Sequence, residues 1–470
     1  MSSTEPQPLY APREPIFPRR VKGFYRNLKW WVMGITLGIY YLTPWIRWDR
    51  GPNLPDQAVL IDMAHRRFYF FWIEIWPHEF YFVAGLLIMA GLGLFLFTSA
   101  AGRVWCGYAC PQTVWTDLFI LVERWVEGDR NARLRLHRSK WNGEKIRKTA
   151  VKWSAWLLIA VATGGAWVFY FTDAPTLAVN LFTGQAHPVA YITILVLTAT
   201  TFFFGGFFRE QICIYACPWP RIQAAMIDED TLTINYRFWR GEPRGKAREE
   251  GHGDCIDCMA CVNVCPMGID IRDGQQMACI TCGLCINACN DVMDRIGKPR
   301  DLIGYMALTD EVAEIAGKEP KSVWKHVFRA RTIMYTVLWS GVGIALVVAL
   351  FMRSEIDVNV TPVRNPTFVT LSDGAIRNTY DVRLLNKQGQ DEQFHISLTS
   401  DAPLRIALEG TSELTVTVKA NEQKTQRVYV IAEQGSLAAT SDRTQLRLWI
   451  EQLGSTNRVS HDTIFNGKGD

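Results

Sequence analysis

The residues in this chain whose types and spacing could do chemistry are cysteines. Cys255-x2-Cys258-x2-Cys261-x3-Cys265-Pro266 is followed after thirteen residues by Cys279-x2-Cys282-x2-Cys285-x3-Cys289. This is the bacterial two-cluster ferredoxin spacing, in which three cysteines of one run hold a [4Fe–4S] cubane and the fourth reaches across to the other. The two x2 steps wrap three thiolates around one face of a cubane, and the x3 step turns the fourth away. The expected metal-binding sets are therefore Cys255, Cys258, Cys261 and Cys289 for one cluster, and Cys279, Cys282, Cys285 and Cys265 for the second. Structural zinc competes for such residues, but it uses separated Cys-x2-Cys pairs rather than two four-cysteine runs. Crossed ligation folds the segment as a unit, so cluster binding and folding are coupled. The second run is followed by Asn290 where ferredoxins commonly have proline, which leaves ligation intact but can alter burial and potential.

A second cysteine pattern is duplicated. Cys106-Gly107-Tyr108-Ala109-Cys110-Pro111 and Cys213-Ile214-Tyr215-Ala216-Cys217-Pro218 each close an apolar run. An i, i+4 pair lies on one helix face, and a following proline marks a helix end. If the two units pack together, four thiols converge at the membrane surface as a soft site suited to Cu(I), zinc or an iron–sulfur centre, or to thiol redox chemistry. The plainer alternative is that small polarizable cysteines fill gaps between helices. His78 and His187 sit near the opposite ends of these units, where interfacial hydrogen bonding is the default and a quinone or metal role the alternative.

Apolar segments must position these residues. Crossing a bilayer takes about 20 apolar residues, and five segments qualify: 30–46, 80–100, 151–172, 189–208 and 333–352. Lys and Arg crowd the N-terminal tail (Arg13, Arg19, Arg20, Lys22, Arg26, Lys29) and the 101–152 connection, whereas 173–188 has none. By the positive-inside rule the N-terminus, 101–152 and 209–332 are cytoplasmic and the C-terminus is outside. The net charge of +4 is too small to point to nucleic acid, and the bilayer accounts for where the basic residues lie. No secretory signal peptide is expected at the N-terminus, since the first apolar run has no cleavage site. The aromatic stretch Phe68 to Trp76 is too short to cross and reads as interfacial. Beyond Arg353, short alternating runs separated by polar clusters predict an antiparallel sandwich of seven or more strands.

The expected architecture is a multi-domain membrane protein. It comprises a cytoplasmic tail (1–29), four transmembrane helices (30–208) with the basic loop 101–152, and a ferredoxin-type domain (209–332). A fifth helix (333–352) and a C-terminal domain (353–470) complete it.

The paired Cys-Tyr-Ala-Cys-Pro type motifs, combined with the two ferredoxin runs, resemble the cytochrome c oxidase accessory proteins called CcoG, FixG or RdxA, over nearly the whole chain. NapH and NosR are relatives. The resemblance implies an immunoglobulin-like C-terminal domain in the periplasm and a bacterial inner-membrane location. It also implies a role in assembling cbb3-type oxidase as a cupric reductase, with Cys106, Cys110, Cys213 and Cys217 as the copper site and two [4Fe–4S] clusters supplying electrons. Expected partners are copper ions, a copper chaperone or export pump, oxidase subunits or assembly factors, and a second copy of the chain. The alternatives are a quinol or cytoplasmic-donor relay of the NapH/NosR type, and a non-enzymatic assembly factor with sensing clusters.

Overall fold

The computed structural model describes residues 15–246, 251–353, 356–387, 390–420, 422–455 and 458–469. Arg13 of the basic tail lies outside them. Two compact units emerge: one contains the chain up to Ile46 and Gln57–Leu346, the other Arg47–Asp56 and Val347–Asp470.

Among the described residues, four helices are long and apolar enough to cross a membrane: Pro77–Ala101, Gly143–Val168, Pro188–Ala216 and Ala330–Phe351. This corrects the expectation of five. The first helix, Phe24–Leu42, starts six residues before the predicted span and carries Arg26 and Lys29 in its opening turns. Those two cations are buried against Asp117, each with a nitrogen 3.1 Å from a carboxylate oxygen. Its apolar stretch is too short once they are discounted. Farther along, the Tyr40 hydroxyl donates to the Thr163 carbonyl at 2.7 Å, so the helix packs along Gly143–Val168.

The apolar helices associate through small residues, as expected where lipid removes the usual hydrophobic drive between helices. Gly93 of Pro77–Ala101 lies under Trp339, and Ser99 bonds Thr332 at 3.3 Å. Gly164 of Gly143–Val168 faces the Ile194 carbonyl, so closely that a Cβ would sit 2.9 Å from it. The aromatic stretch Phe68 to Trp76 supplies strands Arg67–Phe70 and Ile73–Ile75 of a three-stranded antiparallel sheet with Val59–Asp62, Tyr69 being buried. The ferredoxin-type segment is closed at its base by two antiparallel strands, Thr233–Tyr236 and Ile303–Met306.

The second unit is an antiparallel sandwich. One sheet runs Arg405–Leu408, Gln423–Ala432, Ile376–Asn386, Ile356–Pro362, with Val369–Thr370 also on Ile376–Asn386; the other runs Thr415–Val418, Glu392–Ser400, Arg443–Gln452, Arg458–Asn466. Along Ile376–Asn386 every second side chain is buried, the period-2 signature of a strand with one face on a core. Tyr380, Phe394, Ile396, Leu448 and Phe465 from both sheets share that core. The alternating runs of the sequence, 356–360, 368–371, 380–385, 394–398, 414–418, 427–431 and 446–450, all overlap strands, and Arg405–Leu408 and Arg458–Asn466 are additional.

Candidate metal centre

Cys265, Cys279, Cys282 and Cys285 line one largely apolar cavity with Met267, Ile280 and Leu284, and Cys261 of the other expected set lines it too. Cys289 lies within electrostatic range of Cys255, Cys258 and Cys261. The fourth cysteine of each run thus sits among the first three of the other. Burial pushes the Cys261 and Cys279 thiols up to about 11 and Cys265 and Cys289 up to about 12. It pushes the Cys285 thiol well above its ordinary value. Such thiols become thiolates only with a cationic partner, which bound iron supplies. Among the described residues no three His, Cys, Asp or Glu side chains are close enough to hold a single ion. A zinc would draw its sulfurs to about 2.3 Å of one point. Cysteines ringing a cavity fit a multi-iron cluster better.

Local structure explains the departure at Asn290. The first run ends with helix Ala260–Val264, and Cys265 is extended ahead of Pro266. The second run continues through Cys289 inside helix Leu284–Ile296, where proline at 290 would break the backbone ladder. Asn290 instead exchanges two bonds with Asp301, its Nδ2 donating at 3.0 Å and its Oδ1 accepting from the Asp301 amide at 2.9 Å.

The duplicated cysteines do not lie on one helix face each, as the i, i+4 spacing predicts. In both units the first cysteine is in a last helical turn and the second is extended. Cys110 (φ −60°, ψ 130°) caps helix Pro111–Glu127, and Cys217 (φ −78°, ψ 126°) follows the π-helical turn Ile212–Ala216. The proline fixes the start of the next segment, so each pair straddles a junction. The cysteines of the two units nevertheless converge. Cys217 lies within electrostatic range of Cys106 and Cys110, while Cys106 and Cys213 pack on the same apolar cluster as Cys265, Cys282 and Ile280. Burial pushes the Cys106 thiol up to about 11, and the thiol donates to Gln223 Oε1 at 3.1 Å.

The convergence point is the second ferredoxin run. A Cβ on Gly107 would fall 2.6 Å from the Ile280 carbonyl and 3.1 Å from the Cys282 Cα, so only glycine lets the two backbones touch. The Tyr108 hydroxyl donates to the Cys282 carbonyl at 3.0 Å. Gly102 (φ 61°) reverses the chain after Pro77–Ala101 and sets down this short segment against Leu232 and Thr233. Sequence reasoning passed over Gly107, Tyr108 and Gln223. A signal was present in Gly107, where the repeat has Ile214. His187 accepts from the Val189 amide at 3.3 Å, and His78 lies 3.8 Å from Glu79, both local contacts at helix starts.

Helix Pro111–Glu127 is pinned by buried charge. Burial alone would raise Asp117, but Lys29 and Arg26 outweigh it and hold the carboxyl below its ordinary range. Glu123 pairs with Arg133 and Arg209, which likewise more than offset burial.

Residues 208–308 match a family described as a 4Fe–4S dicluster domain, and 82–129 one described as a 4Fe–4S binding domain. Residues 346–468 match the IG-like fold at the C-terminus of FixG. The chain is 72% identical to Protein RdxB of Cereibacter sphaeroides over 99% of both chains. It is 67% identical to Protein RdxA of the same organism over 95% of this chain and 96% of that one. It is 53% identical to Nitrogen fixation protein FixG of Rhizobium meliloti over 98% and 94%. A solved FixG-related protein from Vibrio parahaemolyticus aligns with 25% of this chain and 99% of its own at 17% identity and a TM-score of 0.21. With identities of this size over almost its full length, and with 4Fe–4S binding domains around the cysteines described above, the chain belongs to the FixG/RdxA family and is an iron–sulfur electron-transfer protein.

Proposed function

We propose that the chain is a membrane cupric reductase that converts Cu(II) to Cu(I) at Cys106, Cys110, Cys213 and Cys217. The observation that supports this reading is the contact of Gly107 and Tyr108 with the Ile280–Cys282 backbone, with Cys106 and Cys213 packed on the same apolar cluster as Cys265 and Cys282. The two clusters, held by Cys255, Cys258, Cys261 and Cys289 and by Cys279, Cys282, Cys285 and Cys265, would supply one electron at a time. Thiolates favour the soft monovalent ion over the divalent one. The Cys106 and Cys110 thiols, raised by burial, give up protons as copper takes their place.

The basic 101–152 connection and the cysteine-bearing segment face the cytoplasm in this reading, and helix Ala330–Phe351 carries the chain across the inner membrane to a periplasmic sandwich. Delivery of Cu(I) to a chaperone or export pump, in support of cbb3-type oxidase assembly, gives the activity its purpose.

The test is direct. Full chain purified anaerobically and reduced should turn each electron it loses to Cu(II) into one Cu(I). The Cys106→Ser and Cys110→Ser chains should keep their iron and lose at least tenfold in rate. Reoxidation at the wild-type rate in those variants would sink the reading. Rapid reduction of the wild-type chain by quinol without copper turnover would replace it with a relay.

A further inference from the structure

Arg103 stands between helices Pro77–Ala101 and Val104–Tyr108 and is 4% exposed. Its Nη1 donates to the carbonyl of Met277, two residues before Cys279. Its Nε is buried without a hydrogen-bond partner, and among the described residues no carboxylate is in ion-pair contact with it. A buried guanidinium with no anion is costly enough that native structures rarely keep one. Its surroundings are sulfur: Cys106, three residues on, and Cys279, two residues beyond the Met277 carbonyl that it bonds, are both within its electrostatic range.

The repeat supplies a control. Arg209 precedes Cys213 much as Arg103 precedes Cys106, yet Arg209 is paired with Glu123 and donates to the Gly206 carbonyl at 2.8 Å. One unit neutralises its arginine with a carboxylate, and the other leaves it facing the cysteines.

We propose that Arg103 is a positioning residue, the shared counter-charge of the four-thiol site and of the ligand set Cys265, Cys279, Cys282 and Cys285. The inference rests on reading these two centres as consecutive stations of electron transfer. Four thiolates around iron leave a net negative charge that grows by one on reduction, and this anion supplies the partner Arg103 lacks. Net charge and hydrogen bonding near the sulfurs set such a site's potential, and the interior screens a fixed charge weakly. Because the same guanidinium borders both centres, negative charge that shifts from one to the other stays beside it. The site then needs little rearrangement to follow the electron.

The experiment is an anaerobic redox titration of the full chain in detergent, followed by electron paramagnetic resonance, with iron counted and no copper added. Arg103→Gln should weaken the electron affinity of one cluster at least tenfold, about 59 mV for a one-electron couple, and leave the other unmoved. Arg103→Lys, which keeps the charge, should stay within about twofold of wild type. Equal shifts in the two variants, shifts in both clusters, or no shift would overturn the proposal. Should Arg103→Gln not retain iron, the lysine variant decides: wild-type iron content and potential support the counter-charge, and loss of iron there too overturns it. Because no copper is added, a wild-type chain that fails to reduce copper sinks the function proposed above and leaves this measurement standing.

Discussion

In the first Cys-x3-Cys-Pro segment Tyr108 is 6% exposed and bonds the Cys282 carbonyl; in the second the matching Tyr215 is 49% exposed. Gly107 touches the second ferredoxin run, whereas the corresponding position carries Ile214, which packs at the edge of the same apolar cluster. The helices differ as well. The first breaks at Gly102 and resumes as a separate turn; the second runs on through two π-helical stretches, Phe204–Phe208 and Ile212–Ala216. Widened turns of this kind absorb an extra residue and recur at functional sites. The two segments share one thiol-pair pattern, and Gly107 and Tyr108 let the first of them meet the backbone of the ferredoxin module.

The largest expected effect tests how the second segment is held. Glu123→Gln strips Arg209 and Arg133 of a buried partner and should cost about 3–5 kcal/mol, read as a lowered thermal midpoint in detergent. The pH dependence has a definite sign. The paired arginines outweigh burial and hold Glu123 below its ordinary range, so its contribution is present at neutral pH and is lost as the pH falls through that depressed value. The variant should therefore be less sensitive to acid than wild type, and an unchanged midpoint would break the comparison.

Next in size, Gly107→Ala forces a methyl group into the Ile280 and Cys282 backbone. Overpacking of this kind costs about 1–3 kcal/mol, and the chain should lose iron from the second cluster. Ile214→Ala displaces no backbone and should keep its iron. Equal losses would mean that the two segments play the same part. The smallest effect is at Tyr108. Tyr108→Phe removes the bond to Cys282 and should cost about 0.5–1.5 kcal/mol, read as a lowered thermal midpoint in detergent.

What was legible in the sequence was local. Cysteine spacing within a run reports on a few consecutive turns, and period-2 alternation picked out the strands that bury one face. Arg458–Asn466 escaped because it is an edge strand with only Phe465 fully buried, the rest being exposed or half-buried in alternation. Arg405–Leu408 escaped because it is short. The first helix was miscounted for a different reason. Its apolar stretch resembles a span, and only a partner some ninety positions away, Asp117, reveals that Arg26 and Lys29 belong inside. Whether the duplicated cysteines meet was likewise hidden, since it depends on how separate helices pack. The sequence could show that four thiols existed but not that Cys106 and Cys213 pack on one apolar cluster with Cys282.

The two-stranded pairing of Thr233–Tyr236 with Ile303–Met306 has a consequence for assembly. Adjacent strands lie about 4.8 Å apart, so the intervening loop leaves the helical part and returns to it at almost the same point. Such a pinched base works like the neck of a purse. All eight ferredoxin cysteines lie within the loop so closed, and a change that parts these two strands should disturb both ligand sets together.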